Sequence, residues 1–260
     1  MKRITLEIAV DCRADAIAAA AAGADRLELC ADLAAHGYTP DLELVQAASE
    51  IRGVISLAMV RPRGMGPGSA GAAGFVYGRE EWSGVMSETQ RVLEAGAEGV
   101  VFGCLDADGS LNLGQVRELV ALARGAQTVF HRAIDLTADP VHATRQLAEL
   151  GVSRVLSAGM SFAGTATELG ARCGSMPARA AAPWQQGGDG WARRLERLGE
   201  LVRGVGTKIQ ILPGGGVRAS NAAEVLRETG CTQVHSSGRV GGRFDVSAVE
   251  GLRAAIDAAR

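Results

Sequence analysis

The residues with the chemistry to do something unusual are scattered along this chain, but they recur in one kind of place. Glu7, Glu28, Arg61, Arg63, His131, Arg132, Asp135 and His235 all fall inside, or just beyond, short runs that read as buried strands. A glutamate within a buried strand is costly unless something pairs with it. Glu7 and Glu28 therefore need partners, and Arg61, Arg63 and Arg132 are the candidates. His131 and His235 can shuttle protons near neutral pH or bind metal. The stretch Thr128-Val129-Phe130-His131-Arg132-Ala133-Ile134-Asp135 concentrates these features, passing from apolar strand to three ionisable side chains. Two outcomes follow from such a set. Arginines could hold a small anion while Glu28, His131 and Asp135 move protons. Equally, the same groups could form a structural ion-pair network.

Elements must exist that bring these residues together. The local pattern is a helical run, a glycine, a short bridge and a β-rich run. It recurs at Gly23, Gly53, Gly96, Gly125, Gly151, Gly204 and Gly230, each placed to end a helix in the left-handed conformation. The spacing suits βα units of about 30 residues, two of them lengthened by insertions. The strands read as Ile4–Val10, Arg26–Cys30, Val54–Val60, Gly99–Gly103, Gln127–His131, Ser153–Ser157, Lys208–Leu212 and Thr232–Ser236. Thr39-Pro40 and Asp139-Pro140 look like helix starts. Eight such units predict a (β/α)8 TIM barrel of one domain over residues 1–260. A doubly wound sheet fits less well, since no GxGxxG follows the first strand.

The insertions, Arg61–Gly78 after strand three and Gly159–Gly190 after strand six, belong to the face where barrel sites form. Gly214 and Gly215 follow strand seven, and Ser236 ends strand eight. In barrels those loops often cradle a phosphate, although a glycine-rich turn alone needs no ligand.

The totals narrow the classes. Of 260 residues, 47% are hydrophobic and the formal net charge is −2, so neither nucleic acid nor an anionic membrane is an expected partner. The five cysteines are odd in number and widely spaced, without a CxxC, which suits reduced thiols rather than a disulfide framework. No apolar run approaches a membrane span and the N-terminus shows no signal-peptide pattern, so a cytoplasmic location is expected. Hydrolase elbow, P-loop and zincin motifs are absent from the sequence.

The sequence resembles the CutC copper homeostasis family. The resemblance rests on Ala24-Asp25-Arg26-Leu27-Glu28-Leu29-Cys30, Gly37-Tyr38-Thr39-Pro40, Arg61-Pro62-Arg63-Gly64, Thr128–Ala133, Arg154-Val155-Leu156, Pro213–Gly216 and Val234-His235-Ser236-Ser237, in that order. It implies a cytoplasmic, self-associating TIM barrel linked to copper. Cys30 would be one copper ligand, with Cys12, His131 or a methionine as the second. The family often has a cysteine where this chain has Ala9, and Ser157-Ala158-Gly159 replaces its Thr-Ser-Gly. One thiolate alone makes a poor copper(I) site. The same resemblance leaves the polar barrel mouth intact, so a small anionic or phosphorylated metabolite remains the alternative ligand.

Overall fold

The computed structural model describes residues 3–35, 37–62, 74–159 and 189–259. Eight parallel strands form a nearly closed barrel: β1 (Thr5–Val10), β2 (Arg26–Leu29), β3 (Ile55–Met59), β4 (Gly99–Phe102), β5 (Gln127–Phe130), β6 (Arg154–Ser157), β7 (Gln210–Pro213) and β8 (Gln233–Ser236). Each strand pairs with its neighbour in sequence, and β1 also pairs with β8. Between β7 and β8 the backbone ladder stops among the described residues. There the Gln233 side chain donates to the Ile211 carbonyl at 3.2 Å.

Around the barrel lie α1 (Arg13–Ala21), α2 (Leu42–Ser49), α3 (Arg79–Glu94), α4 (Leu113–Ala123), α5 (Pro140–Glu149), α6 (Asp189–Val205), α7 (Ala222–Thr229) and α8 (Val246–Ala258). A β9–β10 hairpin (Arg239–Val240 and Arg243–Phe244) precedes α8. Asp139 caps α5 by accepting the His142 amide, with Pro140 in its first turn, as the sequence predicts. Thr39-Pro40 does not start a helix. α2 begins at Leu42 after Asp41, and the Thr39 hydroxyl turns instead to Glu88. Gly204 does not end one either: α6 continues through it, and Gly206 takes the left-handed conformation at φ 59°.

Strand alternation divides the chain into two apolar regions. Leu6, Ile8, Leu27, Leu29, Val100, Phe102, Phe130 and Val234 face outward and bury against the helices. Cys30, Leu57, Met59, Val101, Val129, Leu156 and Leu212 form a smaller cluster inside the barrel. Glu7, Arg26, Glu28, Gln233 and His235 on β1, β2 and β8 are polar, so most ionisable groups among the described lumen residues lie on that side, with Arg154 of β6 across from them.

Candidate functional site

At the N-terminal end of the lumen, the first inward residues of several strands make a continuous polar floor. Arg26 Nε pairs with Glu7, and its Nη2 donates to Gln233 at 2.9 Å. Arg154 donates to Gln210 at 3.2 Å and to Gln127 at 3.1 Å. Burial lowers the Arg154 pKa to about 10, and the nearby Arg26 guanidinium adds to that. Burial alone would raise the Glu7 pKa, but Arg26 and His235 together hold it well below the usual carboxylate range. Glu7 therefore finds its cation in Arg26 rather than in Arg61, Arg63 or Arg132. The signal was present: Arg26 lies two residues before Glu28 on one strand face, and an arginine there needs a partner as much as a glutamate does.

Above the floor, Glu7, Glu28 and His235 converge. His235 Nδ1 lies 2.7 Å from Glu7 Oε1, and its Nε2 lies 3.4 Å from Glu28 Oε2. Glu28 Oε1 is buried without a hydrogen-bond partner. Burial and the Glu7 charge push the Glu28 carboxyl up to about 7, against the pull of His235. Burial disfavours the charged form of His235, yet the two glutamates raise its pKa overall.

A second group forms where β3 and β5 end. His131 is buried, its ring edge packed on Phe75 with centroids 4.8 Å apart. It fits because Gly103 lies beside it, where any Cβ would overlap the imidazole. His131 Nδ1 accepts the Ala133 amide at 3.2 Å, so the neutral ring carries its proton on Nε2, which is buried without a partner. Burial, with the Arg61 charge, lowers its pKa to about 3. The Arg61 guanidinium lies 5.2 Å from the Phe75 centroid and 5.4 Å from that of Tyr38, and its Nε is also buried and unpartnered.

Asp135 makes its hydrogen bonds with residues other than those of the two groups. It lies in a 3-10 segment, Arg132–Leu136, and accepts from Ser157 Oγ at 2.6 Å, the Ala158 amide at 3.0 Å and Arg132 Nε at 3.2 Å. Burial outweighs these donors and raises its pKa. These bonds tie the loop after β5 to the end of β6. Gly215 lies beside Arg132, while Gly214 donates its amide to the Ser157 carbonyl. The Ser236 hydroxyl donates to the Val217 carbonyl and accepts from Arg218 and the Gly238 amide. Its hydrogen bonds are thus used in joining the loops after β7 and β8.

Among the described residues, Cys12, Cys30, Cys104 and Cys231 are all free thiols. Cys30 is buried in the lumen, and burial, with Glu28, Asp11 and Glu7 nearby, raises its thiol pKa well above the ordinary value. Cys12 is exposed and caps α1 with its sulfur. Arg63, most of the 159–190 insertion and Cys173 lie outside the described residues.

The CutC family model matches residues 4–169 and 187–240 of the chain. This chain belongs to the CutC family. A CutC family protein of Treponema denticola is 33% identical over 235 residues, covering 90% of this chain and 81% of that protein. One from Mesorhizobium japonicum is 35% identical over 230 residues, covering 88% of this chain and 76% of the relative. Among solved structures, a Streptococcus agalactiae CutC protein named for copper homeostasis superposes with a TM-score of 0.72 at 26% identity. It covers 90% of this chain and 98% of its own. A 3-hexulose-6-phosphate synthase shares the fold, with a TM-score of 0.60 at 18% identity, over 97% of this chain and 99% of its own.

Proposed function

We propose that this CutC-family barrel binds a small anionic molecule at its C-terminal mouth, with Arg61 and His131 as the groups that hold it. The observation carrying this reading is a pair of orphaned donors. Arg61 Nε–H and His131 Nε2–H are both buried without acceptors, and both side chains rest on Phe75. Leaving a buried donor unsatisfied costs about 1–3 kcal/mol, so an acceptor with several oxygens is the complementary ligand. The glycine-rich turns after β7 and β8 support the reading less, because Ser236 is already bonded within them. Thermal-shift titration with inorganic phosphate and with malonate tests it. The wild-type midpoint should rise with ligand concentration, and Arg61→Gln and His131→Gln should each abolish the rise. No rise with either probe would refute the reading.

Copper handling is the second reading, favoured by the name of the Streptococcus agalactiae relative and by one contact. A Cβ at Gly37 would lie 3.3 Å from Cys30 Sγ and 3.8 Å from Met59 Cε, so both sulfur-bearing side chains line one spot. Thioether and thiolate together suit copper(I), and here copper would be cargo. Cys12 is exposed at the N-cap of α1, where its sulfur accepts the Asp15 amide. Burial, with acidic groups nearby, opposes thiolate formation at Cys30, which is why this reading stands second. Competitive copper(I) titration should lose its tightest site in Cys30→Ser and weaken in Met59→Leu. Equal binding by Cys30→Ser and wild type would remove it. The family resemblance also suggests a cytoplasmic, self-associating protein, and sedimentation equilibrium would measure the association.

A further inference from the structure

We propose that Glu28 and His235 form a binding site for one divalent first-row cation inside the barrel, with Glu7 positioning the histidine. Three features converge on this reading. His235 Nδ1 is 2.7 Å from Glu7 Oε1, which fixes the Nδ1 proton in that bond and turns the Nε2 lone pair toward Glu28. Nε2 and Glu28 Oε2 then face each other at 3.4 Å, too far for a strong hydrogen bond. Two ligands about 2.1 Å from a tetrahedral zinc ion lie ~3.4 Å apart, so the gap suits a bound metal. Finally, Glu28 is 3% exposed, and its Oε1 has no hydrogen-bond partner. A proton shared between Oε2 and Nε2 would leave Oε1 unsatisfied. A cation held by both carboxylate oxygens would satisfy it.

The outer contacts resemble those that tune metal sites elsewhere. A carboxylate on the far ring nitrogen orients a ligating histidine and raises its basicity. Glu7 takes that place, and Arg26 fixes Glu7 in turn. Catalytic zinc sites pair three protein ligands with one open position; here Glu28 and His235 would supply two, and water or a bound ligand the rest. The donor set is nitrogen and oxygen, distinct from the sulfur pair of the copper(I) reading. Copper(II) would also bind such a site, because affinity for a nitrogen and oxygen set peaks at that ion. Copper(II) uptake would therefore not by itself demonstrate a thiolate site in this chain.

The test uses the full chain, stripped with chelator and titrated calorimetrically with zinc chloride. One equivalent should bind per chain. Glu28→Gln and His235→Gln should each weaken binding by more than tenfold, and Glu7→Gln by roughly 10–100-fold as an orienting residue. Cys30→Ser and Arg61→Gln should leave it unchanged, which separates this site from both readings given above. Cobalt(II) loading should give ligand-field bands without thiolate charge transfer, and this readout needs no variant to fold. Absence of a stoichiometric site, undiminished binding by Glu28→Gln, or a thiolate charge-transfer band would each overturn the proposal.

Discussion

His131 shows how one side chain records its surroundings. Its imidazole is pushed down to about 3 from an ordinary 6.5, first by burial and then by Arg61. The native ring therefore stays neutral where the unfolded chain binds a proton. Stability is unaffected above about pH 6.5 and falls as pH drops from there toward about 3. At pH 5 this contribution is about 2 kcal/mol lost relative to pH 7. His131→Gln removes the titration, so its urea midpoint should fall less than that of the wild type between pH 7 and pH 5. Equal losses in the two proteins would mean that His131 is not held neutral. Gly103, which leaves room for the ring, carries no chemistry of its own and gives no sequence signal for that role.

At the scale of elements, the strands were the most legible part, because short β-branched runs between helical stretches have few other readings. Their predicted ends fall within a residue or two of the observed ones. The helix boundaries were less legible where a residue had two possible uses. Gly204 reads as a helix terminator, yet it lies where α6 crosses α5. A Cβ there would come 2.6 Å from Val141 Cγ1, and its carbonyl accepts from Arg145 Nε at 2.9 Å. Nothing local distinguishes a glycine that ends a helix from one that lets two helices approach. The two roles predict different outcomes for Gly204→Ala. Propensity alone favours alanine in a helix by about 1 kcal/mol. Overpacking against Val141 costs about 1–3 kcal/mol, so the variant should have a lower melting temperature. A gain in stability would show that α5 yields readily at this crossing.

Across the whole molecule, the polar floor poses the largest energetic question. The candidate site is half legible: both histidines and both glutamates stand out, but the sequence points to loop arginines for the cation that stabilises Glu7. It lies in the neighbouring strand, because parallel register places Glu7 opposite Arg26. Chain order alone does not reveal that pairing; it requires the strands to be aligned. The floor couples β1, β2 and β8 through side chains, in a region where the β7–β8 seam lacks a backbone ladder. Arg26→Met would leave Glu7 buried without its principal cation, which should cost about 3–5 kcal/mol. Glu7→Leu strands Arg26 in the same way. The double replacement leaves neither charge uncompensated and restores apolar volume, so its loss should fall well short of the summed single losses. Urea denaturation of the four proteins completes the cycle. If the two single losses instead add to within about 0.5 kcal/mol, Glu7 and Arg26 are energetically independent, and the floor does not act as a unit.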